Sequence, residues 1–125
     1  MEGYEQIEKS VLGTMLVENY LIVDSGVHLD FFIGHIHKNI FKCMQDLVAK
    51  KRPVDYVTLL TMMEPTALGG ANYVAELTNF ASPTKFDSYV AIMLETWKNR
   101  DKNKILIQEK EEEWDNGAIQ KTFKS

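Results

Sequence analysis

The chain has little of what a secreted or membrane protein needs. Among its 125 residues there is one cysteine, Cys43, so neither an internal disulfide nor a thiolate cluster can form. A membrane-spanning helix needs about 20 consecutive apolar residues, whereas the apolar runs here are short, such as Tyr20 to Val23. The amino terminus does not read as a signal peptide. We therefore expect a cytoplasmic chain without a membrane segment.

Excess positive charge and nucleotide-binding motifs are also missing. Lys and Arg total 14 against 18 Asp and Glu, and the net charge of -4 repels phosphate on average, so direct nucleic-acid binding is not expected. The string Gly-x-x-x-x-Gly-Lys followed by Ser or Thr, which cradles phosphate in a P-loop, does not occur, and Gly69-Gly70 reads as a loop. We predict no catalytic residue and no cofactor site in this chain.

Two groups of potential metal ligands have plainer explanations. His35 and His37 are two residues apart, so on a helix they point about 200° away from each other, whereas metal sites on helices use spacings of three or four residues. The acidic run between Glu109 and Glu113 is typical of a solvated helix surface. No metal site is predicted.

Helical periodicity is the main signal that the sequence does contain. Apolar residues recur at spacings of three and four in two stripes, Tyr4, Ile7, Val11, Leu12, Met15 and Leu16, then Ile36, Ile40, Phe41, Met44, Leu47 and Val48. Shorter helices are predicted after Asn19, after the capping residue Asp55, and between Ala71 and Phe80. With 45% hydrophobic residues, a chain of this length builds one core. The predicted fold class is all-α, with a small helical globule over residues 1–83.

Residues 84–125 are predicted to form a second region. Thr84 and Asp87 have the spacing of a capping box, which starts a helix. Its first part has an apolar face, but residues 98–104 are polar on every side and cannot pack into a core. Continued to its stop signal, the helix would run about 31 residues, roughly 46 Å at 1.5 Å per residue. We expect the second half to project as the first arm of a helical hairpin, and the chain to end within a truncated second arm.

Apolar residues return beyond the polar stretch of that helix. On a projecting helix they are natural seam residues for a second helix. The candidates for a hairpin or subunit interface are Trp97, which directly precedes the polar stretch, and Ile105, Leu106, Ile107 and Trp114, which follow it. Packing within the hairpin and packing between subunits both remain open.

Glu8 and His37 are the candidate buried polar residues of the globule. Helical projection places each of them within an apolar stripe, Glu8 on the first helix and His37 on the second long one. Because a buried carboxylate or imidazole needs a hydrogen-bond partner, the two could satisfy each other across the helix interface. Alternatively, each bonds a nearby backbone group. In either arrangement they determine the fold and are not catalysts.

Five short patterns follow one another between residues 8 and 90. They are Glu8-Lys9-Ser10-Val11-Leu12-Gly13, Phe32 with His37 and Ile40-Phe41, Pro53-Val54-Asp55-Tyr56-Val57-Thr58-Leu59, Gly69-Gly70-Ala71-Asn72-Tyr73-Val74-Ala75-Glu76-Leu77, and Tyr89-Val90-Ala91. In this order and spacing they resemble the amino-terminal domain of the DnaB-type replicative DNA helicases.

The resemblance implies a helical globule and a long helical hairpin, followed in the helicases by a linker and a RecA-like motor domain. Globules and hairpins of the hexamer assemble into a collar, usually a trimer of dimers. The implied function is that of a non-catalytic collar domain that orders the helicase subunits and receives primase and, in some systems, a helicase loader. ATP and Mg²⁺ would act only in the motor domain.

Two other functions stay open on the sequence alone. The helicase-interacting carboxy-terminal part of primase is thought to share this fold, and a free-standing helical adaptor would need no motor at all. A Walker A motif downstream of Ser125 would select the helicase over both alternatives.

Overall fold

The computed structural model describes residues 2–100, with side chains from Tyr4 onwards, and every regular element in that stretch is helical. The chain divides after Leu94 into two units. The first, Met1–Leu94, contains the core, and of the second we describe the helical residues 95–100. The predicted all-α fold class is confirmed.

The α-helices of the described chain are joined by short turns and 3₁₀ segments. The α-helices are α1, Glu2–Val17; α2, Leu21–Asp24; α3, His35–Ala49; α4, Tyr56–Leu59; α5, Ala71–Glu76; and α6, residues 86–100. The 3₁₀ segments are Leu29–Phe31, Pro65–Leu68 and Leu77–Phe80.

The two long helices α1 and α3 supply the centre of the core, as their periodicity predicts. The side chains that are at most 1% exposed include Val11, Leu12 and Met15 of α1 and Ile40, Phe41, Met44 and Leu47 of α3. Phe32, fully buried in the segment before α3, packs against Phe41 with ring centroids 5.1 Å apart. Burying one such side chain stabilises a fold by about 1.5–3 kcal/mol, so each of these residues contributes substantially to the stability of the domain.

Asn19 fixes the carboxyl end of α1 to a distant part of the chain. Its Nδ2 donates to the carbonyls of Met15 at 2.9 Å and Val54 at 3.0 Å, and its Oδ1 accepts from the Val54 amide at 3.1 Å. Directly after Val54, Asp55 Oδ1 accepts from the Thr58 amide at 2.8 Å and caps α4. The predicted capping role of Asp55 is confirmed.

A left-handed residue ends α3. Lys51 has a φ of 59°, its amide donates to the carbonyl of Val48 at 2.9 Å, and the Arg52 amide donates to the carbonyl of Leu47 at 3.0 Å. These are the paired hydrogen bonds of a Schellman motif, in which the left-handed position is usually glycine. The chain then turns at Pro53, which disfavours further helix at Arg52.

Gly13 allows α1 to approach the 3₁₀ segment Leu77–Phe80 at backbone distance. A Cβ at this position would overlap the carbonyl oxygen of Leu77 and lie 3.2 Å from the Ala81 amide nitrogen. One residue further along, Thr14 Oγ1 accepts from the Ser82 amide at 2.8 Å and donates to the carbonyl of Ser10 at 2.7 Å. This contact joins the amino-terminal helix to the chain that leads into α6.

Some predicted boundaries shift or lie beyond the description. The helix predicted from Thr84 begins at residue 86, after a turn over residues 83–85. The division into 1–83 and 84–125 stays a prediction, and the second hairpin arm falls in 101–125, outside the described residues. Between residues 2 and 100 no helix is both long and apolar enough to cross a membrane.

Candidate functional site

Glu8 and His37 meet between the two long helices. Glu8 Oε1 lies 2.6 Å from His37 Nδ1, and the two residues are 1% and 4% exposed. Because a carboxylate only accepts, Nδ1 carries the proton that the hydrogen bond needs. The structure therefore places the two predicted polar residues in direct contact.

Glu8 also holds the loop that leads into α3. Its Oε2 accepts from the Ile33 amide at 2.7 Å, and its Oε1 accepts from the Gly34 amide at 3.3 Å. Gly34 is the residue that precedes α3, so the carboxylate also lies near the positive end of that helix dipole. The side-chain pair is thus present, and Glu8, unlike His37, bonds backbone groups as well.

Tyr73 completes the cluster and was not singled out from the sequence. Its hydroxyl lies 2.6 Å from His37 Nε2, on the far side of the imidazole from Glu8. In the neutral Nδ1–H tautomer the ring accepts at Nε2, so the hydroxyl of Tyr73 donates to it. The sequence signal was the Gly69-Gly70 turn before α5: Gly69 adopts a φ of 89°, and a Cβ there would lie 2.8 Å from the Tyr73 ring.

The order carboxylate, imidazole and hydroxyl resembles that of a nucleophilic triad, but the electrostatics oppose that chemistry. Burial raises the pKa of Tyr73, and the charges of Glu5 and Glu8 raise it further. A nucleophile is activated when its pKa is lowered or when a base removes its proton. The Tyr73 hydroxyl is held in its neutral form, which is that of a hydrogen-bond donor to His37.

A surface pocket of about 470 Å³ opens beside the cluster. It is lined by Tyr4, Glu5, Glu8, Ile33, Gly34, His35, Ile36, His37, Gly69 and Tyr73. Ile33 and Ile36 are 48% and 37% exposed, although the sequence placed Ile36 on a buried stripe. The periodicity identified the correct helix face, but Ile36 lies in the first turn of α3, where the pocket leaves it partly uncovered.

Lys9 and Cys43 are two further residues with polar or reactive side chains, and neither is placed as a reactive centre. Lys9 Nζ lies 5.7 Å from the ring centroid of Tyr73 and 5.1 Å from that of Phe80, within the range of cation–π attraction. Cys43 is 1% exposed, and burial raises the pKa of its thiol, which disfavours the reactive thiolate. Within residues 2–100 no three His, Cys, Asp or Glu side chains are grouped to hold a metal.

The candidate interface residues of the second region are mostly beyond the description. Trp97 lies on α6. Ile105, Leu106, Ile107 and Trp114 lie outside the described residues, so their role stays a prediction.

The fold and the cluster together define a small all-α domain in which a buried polar network supports the packing of two long helices. The family model of the DnaB-like helicase N-terminal domain matches residues 3–95. The chain belongs to this family.

Solved structures have the same fold. A structure of a DnaB-like replicative helicase, described with its interactions with primase, is 30% identical, with a TM-score of 0.80 over 87% of this chain and 27% of that one. The N-terminal domain of the DnaB helicase from Mycobacterium tuberculosis is 23% identical, with a TM-score of 0.79 over 92% and 87%. The chain therefore spans about a quarter of the first relative's length. No curated protein matches this sequence.

Proposed function

We propose that this domain is a collar element of a hexameric replicative helicase, where it assembles subunits and docks primase in the cytoplasm. The observation that carries the proposal is the family match over residues 3–95. The fold shared with a DnaB-like helicase supports it, and the match covers 27% of that helicase chain. That helicase structure is described with its primase interactions, which makes primase the first partner to test. A helicase loader is the second. ATP and Mg²⁺ would be bound by a motor domain elsewhere in the protein.

Exposed apolar side chains near the end of α1 support a role in association. Val17, Tyr20 and Val23 follow one another at three-residue spacing and are 56%, 61% and 64% exposed. Clustered exposed apolar residues commonly mark protein interaction sites. The family match over residues 3–95 favours the helicase over the alternative functions, a primase domain or a free-standing adaptor.

Assembly is tested by sedimentation of two chain lengths. We expect the 125-residue chain to be monomeric or weakly dimeric, and a chain extended so that it carries both complete hairpin arms to form larger oligomers. The reason is that a helical collar needs both hairpin arms to bury its seams, and each large apolar side chain buried there adds about 1.5–3 kcal/mol before ordering costs. An extended chain that remains monomeric would favour the adaptor.

Primase docking is tested by titrating the helicase-binding domain of the primase from the same organism into each chain by calorimetry. The paired substitutions Tyr20→Glu and Val23→Glu should weaken self-association or primase binding by at least about tenfold, which corresponds to 1.4 kcal/mol. The control pair Gln45→Glu and Thr78→Glu adds the same charge at exposed polar positions. If primase binds neither chain length, the docking half of the proposal is wrong.

A further inference from the structure

In the neutral Nδ1–H tautomer of His37, the hydrogen bonds of the polar cluster all run in one direction. Tyr73 then donates to His37, and His37 donates to Glu8, whose carboxylate also accepts from the Ile33 and Gly34 amides. Both ring nitrogens of His37 and the hydroxyl proton of Tyr73 are used in these bonds. The oxygen of Tyr73, a residue that lines the pocket, keeps lone pairs that accept hydrogen bonds.

The lining of the pocket carries negative charge. Glu5 and Glu8 both line it and no Lys or Arg does, while Lys9, which is not a lining residue, places its Nζ 5.7 Å from the ring centroid of Tyr73. Burial is the first cause of the raised pKa of Tyr73, and the charges of Glu5 and Glu8 are the next, so both carboxylates act on this lining residue. The first-turn amides of α3 contribute only about half a positive charge, beside the Glu8 carboxylate.

Two apolar side chains also line the pocket. Ile33 and Ile36 are partly exposed, so they can cover the methylene stem of an entering side chain. Glu5, exposed on α1, and Tyr73 are lining residues of the same pocket. A suitable occupant therefore needs an apolar stem and a cationic head that donates several hydrogen bonds.

We propose that this pocket binds an arginine side chain presented by a protein partner. This proposal rests on the proposed docking function, because it requires a protein partner. A guanidinium has five N–H donors in a planar fork and is less strongly hydrated than an ammonium group, so it can bond Glu5 and the Tyr73 oxygen at once. A carboxylate occupant would face two acidic side chains, and a neutral one would leave their charge uncompensated.

The test is an NMR titration of the ¹⁵N-labelled 125-residue chain with the peptide acetyl-Ala-Leu-Arg-Leu-Ala-amide. Three peptides of the same length replace Arg with citrulline, Lys or Glu. We expect the arginine peptide to shift the amide signals of Ile33, Ile36 and Tyr73, and the citrulline peptide to bind at least about tenfold more weakly, a loss of 1.4 kcal/mol. The lysine peptide should be weaker than the arginine peptide, and the glutamate peptide should not bind.

Variants locate the binding to the pocket. Glu5→Gln should weaken the arginine peptide about fivefold or more, and Glu76→Gln, which removes an exposed charge on α5 outside the pocket, should leave its affinity unchanged. Equal binding of the citrulline, lysine or glutamate peptide would overturn the proposal. So would the absence of arginine-peptide shifts, or shifts confined to residues outside the pocket. Sedimentation and primase calorimetry report separately on collar assembly and docking, so failure of the arginine site alone would leave those results standing.

Discussion

At the residue scale, the fold depends on a buried carboxylate that is fully hydrogen-bonded. Glu8 is 1% exposed and accepts from two backbone amides and from His37. An ionised side chain is costly to bury without such partners, and removing one of them leaves the remaining charge unsatisfied. The cluster consequently ties α1, α3 and α5 together more specifically than apolar contacts can.

We predict that His37→Ala lowers the free energy of unfolding by about 1–3 kcal/mol, through lost packing and an orphaned Glu8. A double-mutant cycle with Glu8→Gln, measured by urea denaturation, should give a coupling energy above about 0.5 kcal/mol. His35→Ala is the matched control, because that imidazole is exposed and its removal should change stability by less than about 0.5 kcal/mol. Strict additivity would show that Glu8 acts through the loop amides alone.

At the element scale, close packing of α1 depends on the missing side chain of Gly13. A methyl group there would meet the backbone of Leu77, which cannot rotate away as a flexible side chain could. The same helix contains Gly3, where a Cβ would meet no atom within 4 Å. The two glycines therefore provide an internal comparison of packing against helix propensity.

We predict that Gly13→Ala destabilises the fold by about 1–3 kcal/mol, because overpacking outweighs the gain in helix propensity. Gly3→Ala should be neutral or stabilise the fold by up to about 1 kcal/mol. Thermal and urea unfolding followed by circular dichroism measure both changes. A neutral Gly13→Ala would mean that the Leu77–Phe80 segment moves away at little cost.

At the end of α3, introducing a glycine is expected to stabilise the fold. Lys51 occupies a left-handed position that costs an L-residue about 1 kcal/mol, whereas the Pro65–Leu68 turn places Gly69 at the corresponding position. We predict that Lys51→Gly raises the free energy of unfolding by about 0.5–1 kcal/mol. Lys50→Gly, at a φ of −88°, should give no gain. If both substitutions destabilise to the same extent, the Schellman geometry at Lys51 is wrong.

At the scale of the whole molecule, the chain is predicted to lack motor activity of its own. It contains no phosphate-cradling loop, and the raised pKa of Tyr73 opposes nucleophilic use of its hydroxyl. We expect the purified 125-residue chain neither to hydrolyse ATP nor to unwind a forked duplex, whereas a longer chain with a motor domain should do both. ATP hydrolysis or duplex unwinding that copurifies with this chain through successive columns would contradict the prediction that it lacks motor activity.

The sequence by itself determined the fold class, the family resemblance and the inward-facing positions of Glu8 and His37. These follow from local order, because the helical period shows which residues share a buried face, and capping residues such as Asp55 act within one turn. The apolar stripe between Ile36 and Val48 falls within α3, His35–Ala49. Sequence reasoning was weaker where a helix starts after a turn, and α6 begins at residue 86 instead of directly after Thr84.

Only the tertiary structure decided which groups meet. His37 contacts residues 29 positions earlier and 36 positions later in the chain, and the path that brings Tyr73 to it depends on the positive-φ turn at Gly69. The same is true of Gly13 against Leu77, and of the pocket that leaves Ile36 partly exposed. A periodic pattern identifies a buried face but carries no information about what covers it, because that depends on the route of the whole chain and on the packing of all its helices at once.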